Sequence, residues 1–445
     1  MKRWGLAGTD TSRALWIPVL WLFFASLRYQ IQPGLFAEIG YREGHPFPII
    51  FGALMLAGLF VLYHRRFDLG LFVSENKLLV LLYAFMLISV LWSSYPWISF
   101  KRWVKTAGSL EMALIILSFA GPLASLGYVL RRYFVLTVPT SLALIFFLPS
   151  IGRLTYPEGE TVWAGVSWNR NTLGQIALIC CIYFSWNLVQ KTLGKRTLTD
   201  AVILLLSLFL LLGSGSVTAL FAYFFALFVL AVSKMSRVRR RHAGAAIVYI
   251  VVISGILYLT LEGVVLRESI ASKVVGAFGR DISFTGRTQL WADLLEVTAE
   301  KPLLGHGFQS YWVHEFGHPL WEKHAWLPID GHNGYLDVFI AMGAVGLLLL
   351  LLLIFNSYRK ISKEFLSRYE YALLRMTILL ALLLHNLNET SFCELDNPLW
   401  VMFLFAVVSY DVKPAAHLPA GVAVESAEEA GSDRAAVGRA KPVKA

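Results

Sequence analysis

The chain reads as apolar runs of about twenty residues separated by short polar turns, the spacing expected of helices that cross a bilayer. About twelve runs of that kind can be marked, near 14–31, 47–63, 77–93, 105–121, 133–150, 171–190, 199–213, 217–233, 244–262, 334–356, 371–388 and 398–411. The pattern predicts an all-α polytopic membrane protein whose membrane domain spans 1–411. One stretch breaks the rhythm. From Gly263 to Gly346 the chain leaves one apolar run, crosses about seventy mostly polar residues and enters the next run through Gly331-His332-Asn333-Gly334-Tyr335. A loop of that length is usually functional or disordered. Trp291, Phe308, Tyr311, Trp312, Phe316, Trp321 and Trp326 are too many aromatics for disorder. A folded subdomain over 263–333, capping an active site, is the expectation. Beyond Lys413 the tail is rich in Ala, Gly, Glu and Ser, so 412–445 is expected to be a disordered appendage.

Composition agrees with the pattern. Of 445 residues, 57% are hydrophobic and 15% charged, against about 25% charged in soluble domains. The net charge of +10 falls in short loops between the runs, which argues against nucleic acid as the partner. The placement of Lys and Arg sets an orientation instead. With Lys2, Arg3 and Arg13 on the cytoplasmic side, that side also carries Arg65-Arg66, Arg131-Arg132, Lys195-Arg196, the cluster Arg239-Arg240-Arg241 and Arg359-Lys360. Both termini are then cytoplasmic, and the long loop faces outward. Ala14 to Leu27 lacks a small-residue cleavage site and reads as the first span rather than a signal peptide. The three cysteines form no CxxC or disulfide framework. No internal repeat of the kind found in many secondary transporters is visible.

The candidate chemistry gathers on the outward side. Asn169, Arg170 and Asn171 open the sixth run, Arg280 and Arg287 sit in the long loop, and Lys101, Arg102 and Lys105 lie near the outer end of the fourth. Cations are disfavoured on that side, so each calls for an anion. A lipid-linked pyrophosphate fits, because guanidinium forks bind phosphate oxygens bidentately. Anionic headgroups, or ion pairs with Glu38, Asp281 or Asp293, would satisfy the same cations. His332, with Asn333 and flanking glycines at the mouth of an apolar helix, could accept a hydroxyl proton when neutral or hold a phosphate when charged. Asp337 and Glu389, near the same surface, could orient an arginine, act as a base or serve helix packing. His314-Glu315-Phe316-Gly317-His318 has the H-E-x-x-H form of a zinc protease. Gly317 and Pro319 disfavour the continuous helix that zinc chemistry needs, so a surface cluster is the better expectation. No Asp-x-Asp cluster for Mg²⁺ occurs, and a site without metal or other cofactor is expected.

Three motifs carry a family resemblance. His332-Asn333, nine residues, Gly343, two residues and Gly346 resemble a pattern of bacterial O-antigen ligases. Gly286 to Trp291 with Lys301 to Phe308 is similar to the domain shared by those ligases and Wzy-type polysaccharide polymerases. Trp163 to Gly174 resembles the preceding span, especially in exopolysaccharide-polymerase members; the likeness covers about 160–350. The ligases' Arg-x3-Leu pattern is departed from, since Leu290 and Leu173 follow Arg287 and Arg170 by three residues instead of four.

The resemblance implies a GT-C-like glycosyltransferase of the bacterial inner membrane, with its site facing the periplasm. It would take glycan from undecaprenyl pyrophosphate and pass it to another glycan or to lipid A-core, with a chain-length regulator as a further partner. On this reading Arg287 and His332 are catalytic, and Arg170, Asn169, Asn171, Arg280, Asn333 and Arg102 bind substrate. Polymerisation of exopolysaccharide or O-antigen repeats is the first expectation. Ligation to lipid A-core or protein stands beside it. A flippase of lipid-linked sugar, or a zinc protease through His314 and His318, would be the alternatives of other classes.

Overall fold

The computed structural model describes residues 13–27, 47–119, 121–155, 159–167, 169–190, 195–234, 287–313, 320–324, 328–394 and 397–410. Helices occupy nearly all of them: α1 (Trp16–Leu27), α2 (Phe47–His64), α3 (Leu69–Glu75), α4 (Lys77–Ile88) with a 3-10 turn at Ser89–Trp92, α5 (Pro96–Leu117), α6 (Pro122–Phe147), α7 (Pro149–Gly152), α8 (Arg170–Gln190), α9 (Lys195–Ser214), α10 (Val217–Lys234), α11 (Arg287–Glu300), α12 (Leu320–Lys323), α13 (Gly334–Glu364), α14 (Tyr369–His385) and α15 (Pro398–Val407). A two-stranded antiparallel ribbon, β1 (Arg153–Thr155) and β2 (Thr161–Trp163), is the only sheet among the described residues.

Eleven of the twelve expected apolar runs coincide with helices; the run at 244–262 and the tail lie outside the described residues. By length and apolarity four of these helices can cross a membrane: α6, the Thr197–Ser214 part of α9, α8 and α13. A fifth is added if α2 and α3, bent by 100° at the Arg65-Arg66 turn, count as one span. Several others are apolar but shorter, so the protein is an all-α multi-pass membrane protein, and the count of twelve is an expectation that these helices accommodate.

The polarity of the helices is inverted relative to a soluble protein. On α9 the stripe Leu198, Val202, Leu205, Phe209 and Leu212 is exposed, at spacings of three and four residues, while Asp200, Ile203, Ser207 and Leu210 are buried. Asp200 is satisfied inside by Arg131 and by Asn187 Nδ2 at 2.7 Å. An apolar stripe facing outward and polar groups facing inward suit a lipid solvent, where an unpaired polar group costs several kcal/mol. α8, α14 and α15 form the centre of the bundle, and every residue of α15 is buried.

The element that organises one end of the bundle is α13. At 31 residues it would run about 46 Å if continuous. It is not continuous: Gly343 sits at φ 62° and ψ −165°, a conformation glycine alone adopts cheaply. The break frees backbone groups on both sides, and the segment Pro302–Gly307 takes them up. His306 N donates to Ile340 O and Gly307 N to Ala341 O, both at 2.9 Å. In return Ala344 N donates to Pro302 O at 2.8 Å and Val345 N to Leu303 O at 3.2 Å. Irregular backbone at membrane depth is tolerated where protein satisfies it in this way. The approach is close: a Cβ on Gly343 would stand 2.3 Å from the Leu303 carbonyl carbon, and one on Gly305 would stand 2.5 Å from Gly343 N.

Over the break sits a second small core, in which Leu290 and Leu294 of α11, Trp312, Leu320 of α12 and Ile340 pack together. The described part of the long loop is thus folded and partly helical. The expected limits 263–333, with Phe316 and Trp326 among the aromatics behind them, include residues outside the described ones.

Candidate functional site

Asn333 caps α13, its Oδ1 accepting from Tyr335 N and Leu336 N at 3.1 Å each. The residue before it, His332, adopts a left-handed backbone at φ 48°, a strained conformation for a side chain of its size. Several bonds hold the turn there. His332 N donates to Asp330 Oδ1 at 2.7 Å, and Gly331 N donates to the buried Asp337 carboxylate at 3.0 Å. Gly334 N donates to Asn386 O at 2.9 Å, at a contact so close that a Cβ on Gly334 would reach within 2.1 Å of Asn386 Oδ1. Asp337 also accepts from Trp312 Nε1 at 2.8 Å and from Thr390 Oγ1, so this carboxylate is a brace between three segments.

The brace directs His332 at Glu389, which lies just beyond the end of α14. His332 Nδ1 stands 3.3 Å from Glu389 Oε2 and 3.5 Å from Asp330 Oδ1. Arg287, first residue of α11, donates through Nη2 to Glu389 Oε1 at 2.7 Å and through Nη1 to Asn388 O at 2.6 Å. Trp291, one turn along α11, ties that helix to the same turn by donating to Gly331 O at 2.8 Å. Asn171, at the start of α8, donates to Glu389 Oε1 at 2.7 Å. One carboxylate, with its side chain 6% exposed, therefore gathers three residues that are far apart in the chain. Arg287 and His332 remain open, at 17% and 18%.

The electrostatics follow from this packing. Burial alone would lower the pKa of His332, but the charges of Asp330 and Glu389 outweigh burial and the opposing Arg287, raising it to about 9. The imidazole is therefore a cation near neutral pH. Burial pulls Glu389 upward, yet its contacts with His332 and the charges of Arg287 and His385 bring it down to about 2. Arg287, His332, Asp330 and Glu389 form a mutually neutralised quartet.

The remaining sequence candidates fall in different places. Arg170 is next to Asn171 and pairs with Glu160, at 3.1 and 3.2 Å; of the carboxylates the sequence suggested, Glu38 and Asp281 lie outside the described residues. Asn169 Oδ1 accepts from Thr172 N at 2.8 Å and caps α8. Arg102 donates to Gln309 O and to Trp312 O, which anchors the aromatic loop from below. Asn333 serves as the cap described above. Arg280, His314 and His318 lie outside the described residues. Glu389 entered the sequence reading only as one of several possible carboxylates, and Asp330 did not enter it. The spacing Asp330-Gly331-His332, an acid two residues before a histidine in a glycine turn, was the available signal.

Residues 202–351 match the family model described as O-Antigen ligase. The matched stretch runs from α9 past the α13 break and includes Arg287, His332, Asn333 and Gly343; Asn171 and Glu389 lie outside it. The chain is also 35% identical over 99 residues to Exopolysaccharide production protein ExoQ of Rhizobium meliloti (strain 1021). That similarity covers 21% of this chain and 23% of the relative, so the chain spans about a quarter of the length of the curated protein it matches.

Proposed function

We propose that this multi-pass membrane protein transfers glycan from undecaprenyl pyrophosphate to an acceptor hydroxyl, a reading supported by the similarity of residues 202–351 to the O-antigen ligase family model and by the similarity to an exopolysaccharide production protein. The observation that carries this reading is the Glu389 carboxylate held between Arg287, His332 and Asn171. The site lies at the outer end of the helices, taken as the periplasmic face of an inner-membrane protein with about twelve spans and a GT-C-like arrangement. Polymerisation of exopolysaccharide repeats is favoured by the similarity to an exopolysaccharide production protein.

The resting quartet suggests how the groups divide the work. An arriving pyrophosphate competes with Glu389 for Arg287, since a guanidinium fork suits phosphate at least as well as carboxylate. His332, charged at neutral pH, adds a second cation for the departing pyrophosphate. Glu389 loses its Arg287 contact on this exchange and becomes more basic, because the charge that depressed its pKa has turned elsewhere. It then takes the acceptor proton while the acceptor oxygen bonds to the anomeric carbon and the bond to pyrophosphate breaks. On this scheme Glu389 is the base and His332 a charge-stabilising contact. Asn171 holds Glu389 in place, and Arg170 beside it is a contact for phosphate or glycan.

The test is an assay of the purified protein, Arg287→Ala, His332→Ala and Glu389→Gln, each supplied with lipid-linked repeat units in chelator-treated buffer. A glycan ladder from the wild type that disappears in all three variants supports the polymerase reading. A single transfer onto lipid A-core makes the protein a ligase. Intact substrate binding with no covalent product overturns glycan transfer in favour of transport.

A further inference from the structure

Beside the quartet lies a pocket of about 60 Å³ that the transfer scheme leaves unused. Three segments close around it: Phe308–Trp312 of the aromatic loop, Ile329 and Asp330 with the first half of α13, and Thr390–Glu394 beyond α14. Asp330 belongs to both places, lining the pocket while pairing with His332, and Thr390 follows Glu389 directly. Two of its walls are held in left-handed backbone by non-glycine residues, Gln309 at φ 52° and Cys393 at φ 55°, and Gln309 Nε2 bonds Cys393 O across the pocket at 3.2 Å. Arg102 fixes the loop wall through the carbonyls of Gln309 and Trp312. Strain of this kind persists only where surroundings enforce it, and it clusters at ligand sites.

The lining has a distinct chemistry. Asp330, Glu394, Gln309 and Thr390 offer polar atoms, and Tyr311 and Phe392 offer ring surface. Carboxylates beside aromatic faces suit a sugar, whose hydroxyls donate to the acids and whose C–H face packs on rings. The same carboxylates repel phosphate, which separates this pocket from the Arg287 side. At about 10–15 Å³ for each water on this measure, the pocket holds a few water molecules, room for the hydroxyl-bearing edge of a sugar.

We propose that this pocket is the acceptor subsite, taking the neutral, hydroxyl-bearing edge of the acceptor glycan and presenting one hydroxyl to Glu389. The inference rests on the glycan-transfer reading above and adds where and how the acceptor binds. Its carboxylates make the subsite selective for an uncharged edge.

The experiment uses the full-length protein in detergent micelles, with saturation-transfer NMR reporting methyl α-glucoside, methyl β-galactoside and methyl glucuronide, and a filter assay reporting undecaprenyl pyrophosphate. Variants are Ile329→Trp, which fills the pocket from its half-buried rim, Glu394→Gln and Arg287→Ala. The expected result is binding of at least one neutral glycoside, weakened about tenfold by Glu394→Gln, as the loss of one charge-assisted hydrogen bond predicts, and at least as much by the bulk of Ile329→Trp. The glucuronide should bind more weakly still, and pyrophosphate binding should fall only in Arg287→Ala. Neutral glycoside binding that neither pocket variant changes, or a glucuronide that binds as well, would overturn the subsite while leaving the transfer reading intact. Loss of undecaprenyl pyrophosphate binding in Ile329→Trp would overturn it too, by showing one undivided site. Pyrophosphate binding indifferent to Arg287→Ala would remove the transfer reading itself, and the subsite with it.

Discussion

At the scale of single residues, the site around Glu389 is a problem in charge compensation. His332 has a folded pKa of about 9 against an ordinary 6.5, so its stabilising interaction is complete below pH 6.5 and is lost as pH rises through about 9. Glu389 is depressed from 4.5 to about 2, so its contribution is present above pH 4.5 and is lost as pH falls towards 2. The difference in melting temperature between wild type and Glu389→Gln should therefore be largest between pH 4.5 and 6.5 and shrink above about 9; thermal unfolding across that range checks it. Asp330 is the largest charge raising His332, so Asp330→Asn, which keeps the acceptor for His332 N, should move the alkaline loss of activity from about 9 towards neutrality. A pH–rate profile with an unmoved alkaline limb would detach His332 from that limb. Removing the base should cost more than shifting it: Glu389→Gln is expected to lower the transfer rate by about 100-fold or more, the usual contribution of a positioned proton acceptor. The structure brings Arg287 and His332 to one carboxylate; the sequence reading singled them out because cations and a glycine-flanked imidazole are unusual beside an apolar run. It did not single out Glu389, because its partners Asn171, Arg287 and His332 lie 218, 102 and 57 residues away, and only the packed helices reveal which carboxylate they share.

At the scale of elements, the sequence pattern located helices well and their interruptions poorly. The run at 334–356 is marked as one apolar span, and Gly343 and Gly346 enter the sequence reading only through the family motif. In the structure Gly343 is the point where α13 breaks and receives the Pro302–Gly307 segment, and hydropathy contains nothing about that exchange of hydrogen bonds. Gly343→Ala should therefore be far more harmful than its size suggests. At φ 62° and ψ −165° the backbone lies in a region essentially open to glycine alone, where a residue with Cβ is strained by about 1–3 kcal/mol, and here the Cβ would also meet backbone atoms of Leu303 at 2.3 Å, which cannot swing aside. We expect a lower melting temperature and loss of activity, because the displaced segment is continuous with the loop that Arg102 and Trp312 fix beneath the site. Gly52→Ala in α2 is the matched control: nothing lies within 4 Å of its added Cβ, and alanine in a helix interior is favoured by about 1 kcal/mol. If both substitutions behave alike, the break in α13 has no structural weight.

At the scale of the whole molecule, the Glu389 site and the opposite end of the bundle are built on different principles, and that makes them separable. Around Glu389, Arg287 and His332 stay part-exposed, at 17% and 18%. The opposite end closes a charge completely. Arg375 of α14 is 1% exposed and donates through Nη1 to both oxygens of Glu364, the last residue of α13, at 2.7 and 2.8 Å. Its Nε and Nη2 reach Ala406 O and Val408 O at the end of α15, at 2.7 and 3.0 Å. One guanidinium thus joins three helices and satisfies carbonyls that the end of α15 leaves without helical partners. Hydropathy could not foresee this, since it averages Arg375 into an apolar run. Truncating one member of a buried pair leaves the other charge uncompensated, which typically costs about 3–5 kcal/mol. Arg375→Ala should therefore lower the unfolding temperature sharply. The pair itself is a weaker source of stability than that loss suggests, because desolvation offsets much of its attraction. The double variant Arg375→Met with Glu364→Leu should accordingly recover a large part of the loss, and a double-mutant cycle on thermal unfolding in detergent measures it. Transfer per folded molecule should be unchanged in both, since neither residue contacts the quartet around Glu389. A variant that unfolds at the wild-type temperature but fails to transfer glycan would show that the two ends are coupled, and that the α13 break transmits position from the buried clamp to His332.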